Sequence, residues 1–200
     1  MNKLLVNLPE QIETKRLKLQ MPKEGWGEKL HSAILDGYQD YVQYLNWSPI
    51  PPTPLMLEEE CRKHHVDFIL REFIRYLILD KNTNEVVGRC AFPAVQANWA
   101  IPQFGISYFI RATQRGKGYA TEATHAMALL AFQKLNAQKV EIYCDAENIP
   151  SIKIPLNLGF QLEYTQRGGW PRQDGKLAEL QTYSLFSESD LPQGEVFWER

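Results

Sequence analysis

A short glycine turn with two basic residues offers the clearest chemistry in this 200-residue sequence. Arg115-Gly116-Lys117-Gly118 stands between a predicted strand and a predicted helix. Glycine lets the backbone turn tightly, and the missing side chains leave several N–H groups facing one way at the positive end of the helix. Such a turn can bind a phosphate or pyrophosphate, with Arg115 and Lys117 adding positive charge. The alternative interpretation is a glycine turn whose basic side chains are merely solvated.

Two common nucleotide-binding patterns do not fit this turn. It lacks the GxxxxGK[ST] spacing of P-loop proteins and the GxGxxG spacing of dinucleotide-binding folds. The net charge of −2 and the isoelectric point near 6.1 also argue against a nucleic-acid-binding protein, which normally has a strongly basic face. We therefore expect a local anion site and no direct contact with nucleic acid.

Composition places the chain among ordinary globular proteins, with 44% hydrophobic and 23% charged residues. Its length predicts a single domain over residues 1–200. The three cysteines, Cys61, Cys90 and Cys144, are far apart and odd in number, which predicts neither a disulfide framework nor a zinc site. Adjacent His64 and His65 point in different directions on a helix, so we expect no bound metal.

The longest uncharged stretch lies between Arg89 and Arg111. It contains prolines and side-chain amides that a bilayer interior disfavours, so we interpret it as buried strands joined by a loop and expect no association with a membrane. The apolar patch near the N terminus is too short for the core of a signal peptide. These features predict a soluble cytoplasmic protein, either a monomer or a homodimer.

The elements around the glycine turn are predicted from hydrophobic periodicity. Phe104–Ile110 has the pattern of a buried strand, and Tyr119–Leu135 that of a helix with Ala123, Met127 and Leu130 on one face. A second helix opens at Asn148 and stops at Gly159, after a strand over Val140–Cys144. Two last strands, over 160–166 and 179–186, flank a predicted loop that contains Gly168, Gly169 and Gly175.

The N-terminal half is predicted to be a strand, helices and a hairpin. A strand covers 16–21, and a helical pattern over 24–45 breaks near Gly37. Thr53 and Pro54 predict the start of a helix that runs to about residue 73 with Leu57, Cys61, Phe68 and Ile69 facing inward. Strands over 76–79 and 86–92 form a hairpin. The tail beyond Pro192 is expected to be loosely held.

Several of these segments together resemble a known family. Gly105–Ile110 followed by Gln114–Ala123 resembles the acetyl-CoA motif of the GNAT N-acetyltransferases. Asp145–Lys153 with Asn157–Phe160 looks like the second motif of that family. Ile12–Leu17 is similar to the first strand of its branch that contains the ribosomal-protein alanine and serine N-acetyltransferases.

The resemblance covers about residues 12–187, with 188–200 as a tail, and it implies the GNAT fold. That fold belongs to the α/β (α+β) class. Its mixed, mostly antiparallel central sheet has about seven strands, with a V-shaped splay between the fourth and fifth strands, and about four helices flank the sheet. Strand 104–110 and strand 139–144 would diverge at the splay.

The resemblance also implies acetyl-CoA as cosubstrate, with no metal. The pantetheine arm would lie between the diverging strands, and the glycine turn would hold the pyrophosphate. Asn148 matches a family asparagine that contacts the cofactor arm, although the cap of a helix would explain the same residue. Lys153 matches a basic position near the adenosine. The cofactor-binding residues so implied are Tyr108, Phe109, Ile110, Arg115, Gly116, Lys117, Gly118, Tyr119, Ala120, Asn148 and Lys153.

Two departures from the family pattern affect the proton chemistry. Many members protonate the departing CoA thiolate with a tyrosine, but the matching residue here is Pro155. The ribosomal-protein branch has a serine in the same helix that matches Ser151, so we expect Ser151 to be the acid; an ordinary helix-start serine is the alternative. The family's glutamate base matches Gly105. Asp36, Asp40 or Glu72 could instead approach in three dimensions.

The missing base bears on the acceptor amine. An α-amine has a pKa of about 7.7–8.0, so a substantial fraction is neutral near pH 7, whereas a lysine with a pKa near 10.4 is almost fully charged. A site without an evident base therefore favours an α-amine, such as a protein N terminus, or a small amine of low pKa. The sequence predicts direct acetyl transfer from acetyl-CoA in a ternary complex. The alternative is a CoA-binding sensor or scaffold with weak turnover.

Overall fold

The computed structural model describes residues 2–45 and 47–198. Five helices and eleven strands, several of them very short, are found within these residues. The helices are α1 (Gly27–Leu35), α2 (Tyr38–Leu45), α3 (Pro54–Ile69), α4 (Tyr119–Leu135) and α5 (Ile149–Asn157). The strands are β1 (Gln11–Glu13), β2 (Leu17–Gln20), β3 (Ile74–Asp80), β4 (Val86–Phe92), β5 (Ala97–Asn98), β6 (Gln103–Gly105), β7 (Ser107–Ile110), β8 (Lys139–Asp145), β9 (Gln161–Pro171), β10 (Leu177–Leu185) and β11 (Phe197–Trp198).

The strands form two sheets that separate along one line. The first sheet has the order β11-β1-β2-β3-β4-β7, and the second has the order β5-β6-β8-β10-β9. All pairings are antiparallel except that of β6 with β8, which is parallel. The predicted mixed, mostly antiparallel α/β fold is confirmed.

The single strand predicted over 104–110 is divided between the two sheets. β6 pairs with β8, and the Ile106 N–H donates to the carbonyl oxygen of Glu141 at 2.8 Å. From Ser107 onward the chain pairs with β4 instead, with Cys90 opposite Tyr108. β7 therefore leaves β8 just after Ile106, which confirms the expected splay. Hydrophobic periodicity could not reveal this switch because both halves of the segment are equally apolar.

Helix α4 packs into the main core, where Ala123, Met127 and Leu130 are fully buried as predicted. A second apolar cluster lies beneath α1, α2 and α3. The predicted break in the first helical region falls at Gly37, whose φ of +101° suits glycine. Thr53 caps α3 through a hydrogen bond from the Met56 N–H at 3.2 Å.

Four predicted features are wrong in detail. α3 ends at Ile69, not near residue 73, and Ile69 is exposed rather than inward-facing. Gly168 and Gly169 lie inside β9, so only the turn with Gly175 is a loop. The tail is held, because Phe197 and Trp198 pair with β1 and supply hydrogen bonds to an otherwise open sheet edge.

Candidate active site

The glycine turn forms a cradle of unpaired N–H groups at the start of α4. Gly116 and Gly118 have φ of +75° and +79°, a backbone conformation that favours glycine. Within residues 2–45 and 47–198, the N–H groups of Gly116, Lys117 and Gly118 donate to no protein acceptor. The first turn of α4 adds N–H groups that have no partner inside the helix. This geometry suits an anion such as a pyrophosphate.

The two basic side chains of the turn differ in their surroundings. Arg115 forms an ion pair with Asp40 on α2, and its Nε donates to the Ile110 carbonyl at 3.1 Å. Burial lowers the pKa of Arg115, but the hydrogen bonds with Asp40 and Tyr41 outweigh it and raise the pKa overall. The Lys117 Nζ donates to Gln114 Oε1 at 2.5 Å. Arg115 therefore braces the turn against α2, while Lys117 remains at its rim.

Arg16 is a third basic residue at the turn, and the sequence analysis did not single it out. Its Nη1 donates to the Lys117 carbonyl at 2.7 Å, and its guanidinium lies 4.9 Å from the ring centre of Tyr119. The Tyr119 hydroxyl donates to Asp80 at 2.5 Å. Arg16 is 101 residues from Lys117 in the chain, so only the fold brings it to the site.

Glu122 fastens the first turn of α4 to the N-terminal strands. Its carboxylate accepts from the Thr14 hydroxyl at 2.6 Å, the Arg16 N–H at 2.8 Å and Arg16 Nε at 2.6 Å. Burial would raise the pKa of Glu122, but these hydrogen bonds outweigh burial and lower it. The cradle is thus fixed at its base by a buried charge-assisted network.

The cavity of the candidate site, about 100 Å³, lies where β7 and β8 diverge. Ser151 from α5 and Tyr108 from β7 meet on one side, and Tyr44, Leu45 and Trp170 form an opposite wall. The remaining lining residues are Gln96, Ile106, Ser107, Ile142, Tyr143, Asp145 and Leu180.

Ser151 is tied to both diverging strands. Its Oγ is 3.1 Å from the Tyr108 hydroxyl and 3.4 Å from Cys144 Sγ, and the Tyr108 hydroxyl also donates to the Ser151 carbonyl at 3.2 Å. Burial raises the pKa of Tyr108, and it raises the pKa of the Cys144 thiol to about 11. All three groups therefore remain protonated near neutral pH and can donate hydrogen bonds into the cavity.

The other residues predicted to bind the cofactor are not among the described residues that line this cavity. Asn148 caps α5, because its Oδ1 accepts from the Ser151 N–H at 3.2 Å. Lys153 is exposed on α5. On β7, Phe109 is buried against Tyr41, and the Ile110 carbonyl accepts from the Tyr41 hydroxyl at 3.1 Å. Ala120 lies in the first turn of α4.

None of the three carboxylates considered as a base lines the cavity as far as the chain is described. Asp36 accepts from Arg111 Nε at 2.9 Å and from the Thr113 hydroxyl at 2.5 Å. Burial would raise the pKa of Asp36, but these bonds lower it. Asp40 is paired with Arg115, and Glu72 is exposed. These carboxylates brace the fold rather than face the acceptor.

Gly105 has no room for a side chain. A Cβ atom there would lie 2.6 Å from Gln96 Oε1 and 3.0 Å from a ring carbon of Tyr143. The place of a family glutamate is therefore filled by side chains from two other segments. Neither residue was found from the sequence, because only the fold brings β8 and the turn before β5 together over Gly105.

Residues 16–161 match the acetyltransferase (GNAT) domain family. Among curated proteins, the uncharacterized N-acetyltransferase p20 of Bacillus licheniformis is 32% identical over 111 residues, which are 56% of this chain and 61% of that protein. The uncharacterized N-acetyltransferase YnaD of Bacillus subtilis is 30% identical over 60 residues, 30% of this chain and 35% of that protein. Each match thus spans less than two thirds of the relative.

Solved structures share the fold along most of the chain at low sequence identity. The ribosomal L7/L12 α-N-protein acetyltransferase RimL in complex with coenzyme A has a TM-score of 0.81 at 18% identity, covering 90% of this chain and 99% of that one. The ribosomal-protein-S5-alanine acetyltransferase of Vibrio fischeri has a TM-score of 0.77 at 14% identity, covering 91% and 99%. The microcin C7 self-immunity acetyltransferase MccE, in complex with acetyl-CoA and AMP, has a TM-score of 0.77 at 18% identity, covering 86% and 93%.

Proposed function

Because the chain belongs to the acetyltransferase (GNAT) family, we propose that it transfers the acetyl group of acetyl-CoA directly to the α-amine of a protein N terminus. The single observation that carries this proposal is that the anion cradle follows β7, one of the two strands that border the gap, after one short 3₁₀ turn, so the chain leads from the gap to the cradle. A cofactor with a pyrophosphate at one end and a thioester at the other matches such a path in charge and in chemistry.

The cofactor's phosphates would bind the N–H groups of the turn from Gly116 to Ala120, with Arg115 and Lys117 at its two sides. The pantetheine arm would follow the backbone of Tyr108, Phe109 and Ile110. Asn148 would contact the arm, and Lys153 would lie near the adenosine. Support for these roles comes from the unpaired backbone donors and from neighbours that bind coenzyme A or acetyl-CoA.

Ser151 would supply the proton that the departing CoA sulfur needs. Its hydroxyl lies near the N terminus of α5, where the helix dipole favours developing negative charge. The Tyr108 hydroxyl, 3.1 Å away, can donate to Ser151 Oγ as that proton leaves. Backbone N–H groups at the splay would hold the oxyanion that forms when the amine attacks. Pro155 can donate no proton from its place in α5.

The α-amine acceptor rests on two observations. The fold neighbours include a ribosomal-protein α-N-protein acetyltransferase and an S5-alanine acetyltransferase. The carboxylate that lines the cavity, Asp145, already accepts two hydrogen bonds from Arg172, at 2.8 and 2.7 Å, and an amine of pKa about 7.7–8.0 needs the least help to lose its proton. A small amine of similar pKa is the second acceptor class.

The test is acetyl transfer to a panel of amines, followed by mass spectrometry and by release of the CoA thiol. We expect acetylation of the N-terminal amine of short Ser-Ala and Ala-Ser peptides, and about tenfold or more slower reaction of a lysine side chain in an Nα-blocked peptide. CoA binding with no acetylation of any amine would instead support the sensor or scaffold interpretation.

A further inference from the structure

Tyr143 occupies the place from which the missing base would act. Its ring lies 3.0 Å from the position of a Cβ on Gly105, so a side chain at 105 would extend toward the same face of the sheet. Tyr143 and Cys144 are consecutive on β8 and point to opposite faces. Since Cys144 contacts Ser151, the thiolate acid and Tyr143 lie on opposite faces of the sheet, although both line the reaction cavity.

Behind Tyr143 is a buried carboxylate with a complete set of partners. The Tyr143 hydroxyl donates to Glu141 Oε2 at 2.8 Å, and Gln103 Nε2 donates to the same oxygen at 2.5 Å. Lys139 Nζ lies 2.8 Å from the other oxygen, and the Glu141 side chain is only 5% exposed. Tyr143 thus connects the reaction cavity to an ionised group that does not itself line that cavity.

A second cavity of about 180 Å³ lies on the far side of this pair. Gln96 and Tyr143 line both cavities, while Glu141 lines only the second. The other lining residues are Val95, Ala97, Asn98 and Gln103, so the cavity is mostly polar. A proton that reaches Glu141 can therefore leave through this polar cavity without passing the thioester.

We propose that Tyr143 and Glu141 form the proton relay that deprotonates the acceptor amine, with Tyr143 touching the amine and Glu141 acting through it. The inference rests on the proposed function, since it assigns the base for that reaction. Burial and the bond to Glu141 raise the pKa of Tyr143, so the phenol stays protonated and passes a proton along instead of storing a charge.

The relay balances the protons of the reaction. The substrate ammonium gives one proton to Tyr143 Oη while the Tyr143 hydroxyl proton moves to Glu141 Oε2, and the neutral amine then attacks the thioester carbonyl. When the C–S bond breaks, Ser151 gives its proton to the sulfur, the nitrogen loses its second proton to water, and Ser151 Oγ regains a proton from water. Glu141 releases its proton to water in the second cavity, leaving amide, CoA thiol and one free proton.

Other charged groups face this pair from neighbouring strands. Lys139 is held between Glu141 and Glu163, whose carboxylate is 2.7 Å from Lys139 Nζ, and Ser184 on β10 donates to Glu163. The carboxylate of Glu163 on β9 acts on Tyr143 in the same direction as Glu141. The single positive charge of Lys139 therefore neutralises only one of the two carboxylates, Glu141 and Glu163.

The test is the pH dependence of kcat/KM from pH 6 to pH 9 with the peptide Ser-Ala-Gly-Ala. With the relay, the ammonium form of the peptide reacts, so kcat/KM of the parent protein should change by less than about threefold over this range. Tyr143→Phe removes the relay and leaves only neutral amine to react. At pH 6 about one or two α-amines in a hundred are neutral, so kcat/KM of the variant should fall roughly 50-fold between pH 9 and pH 6.

Glu141→Gln should reproduce the profile of Tyr143→Phe, and the double variant should lose nothing further. Tyr164→Phe, on the neighbouring strand, is the matched control and should keep the parent profile. A Tyr143→Phe profile parallel to that of the parent would overturn the relay while leaving the proposed function intact. No acetylation of the peptide by a folded, CoA-binding protein would overturn the proposed function and the relay together.

Discussion

The acid half of the proposed chemistry depends on Ser151, and the structure assigns the cap of α5 to a different residue. The cap of α5 is Asn148, whose Oδ1 accepts from the Ser151 N–H. The Ser151 hydroxyl is thereby free of the capping role that such a position often imposes. Its partners are Tyr108, which lines the cavity, and the buried Cys144.

We predict that Ser151→Ala lowers kcat roughly 100-fold, because the proton is needed only as the thioester breaks. CoA affinity and melting temperature should stay close to those of the parent, since the backbone cap is retained. Asn148→Ala is the structural control and should cost about 1 kcal/mol of folding stability. If kcat of Ser151→Ala stays within about twofold of the parent, Ser151 is only a helix-start residue and not the acid.

Gly116 allows a test of the cradle that controls for backbone strain. A Cβ at Gly116 would meet no atom within 4 Å, and the same is true at Gly25, which has a similar φ of +83°. Both Gly116→Ala and Gly25→Ala should therefore destabilise the fold by a similar amount, about 1 kcal/mol. Only Gly116→Ala should weaken CoA binding, by tenfold or more in calorimetry, because its methyl group obstructs the phosphates. Equal affinities in the two variants would remove the turn from the site.

At the scale of elements, the network around Glu122 joins α4 to the loop between β1 and β2. Hydrogen bonds to a charged carboxylate contribute about 2 kcal/mol when they are partly buried. The lowered pKa of Glu122 means that this stability is present above its ordinary pKa near 4.5 and is lost as the pH falls through the lower folded-state value.

We accordingly predict that Glu122→Gln lowers the melting temperature at pH 7 but has a progressively smaller effect as the pH falls below 4.5 and through the lower folded-state pKa, where the parent carboxylate also becomes protonated. Thermal melts of both proteins at several pH values measure this difference. A constant difference across the whole pH range would mean that charge is not what stabilises this junction.

How far the elements can be predicted depends on whether their signal is local. The bounds of α4 follow from Gly118 and its apolar stripe, and the break at Gly37 follows from a glycine within a helical pattern. The switch of strands at Ile106 depends on which neighbours are available, which no local pattern contains. The predicted strand that corresponds to β9 stops at residue 166, because Gly168 and Gly169 are typical of loops. In the structure, cross-strand pairing with β10 keeps this segment extended.

The residues of the candidate site also divide into those with a local signal in the sequence and those without one. The turn at 115–120 and Ser151 were predicted because each belongs to a contiguous motif. Arg16, Gln96 and Tyr143 were missed, since each comes from a segment remote from those motifs and has no distinctive spacing. The carboxylates Asp36 and Asp40 were plausible as a base by residue type, and only their arginine partners show that they brace the turn.

At the scale of the whole molecule, the last described residues pair with the first strand at one edge of the first sheet. Trp198 pairs with Ile12 and packs on the main core, and the Lys134 ammonium lies 5.6 Å from its ring centre. Its neighbour Phe197 is 58% exposed. No helix among residues 2–45 and 47–198 is long and apolar enough to cross a bilayer.

We predict that Trp198→Ala lowers folding stability by about 2 kcal/mol, or roughly 4–8 °C in melting temperature. Phe197→Ala, the exposed neighbour, should change stability by less than about 0.5 kcal/mol. Because this edge is remote in strand order from the splay, neither variant should change CoA affinity. Equal stability of the two variants would show that the tail contributes nothing to the fold.

The ion pair between Arg115 and Asp40 links the two halves of the site. Arg115 belongs to the turn, whereas Asp40 belongs to α2, the helix that carries Tyr44 and Leu45 to the wall of the reaction cavity. If a pyrophosphate binds the turn as proposed, it would compete with Asp40 for the same guanidinium, and cofactor occupancy and the position of that wall would be thermodynamically coupled. By thermodynamic reciprocity, a ligand that binds against the wall then changes the affinity for the cofactor by the same factor as the cofactor changes the affinity for that ligand.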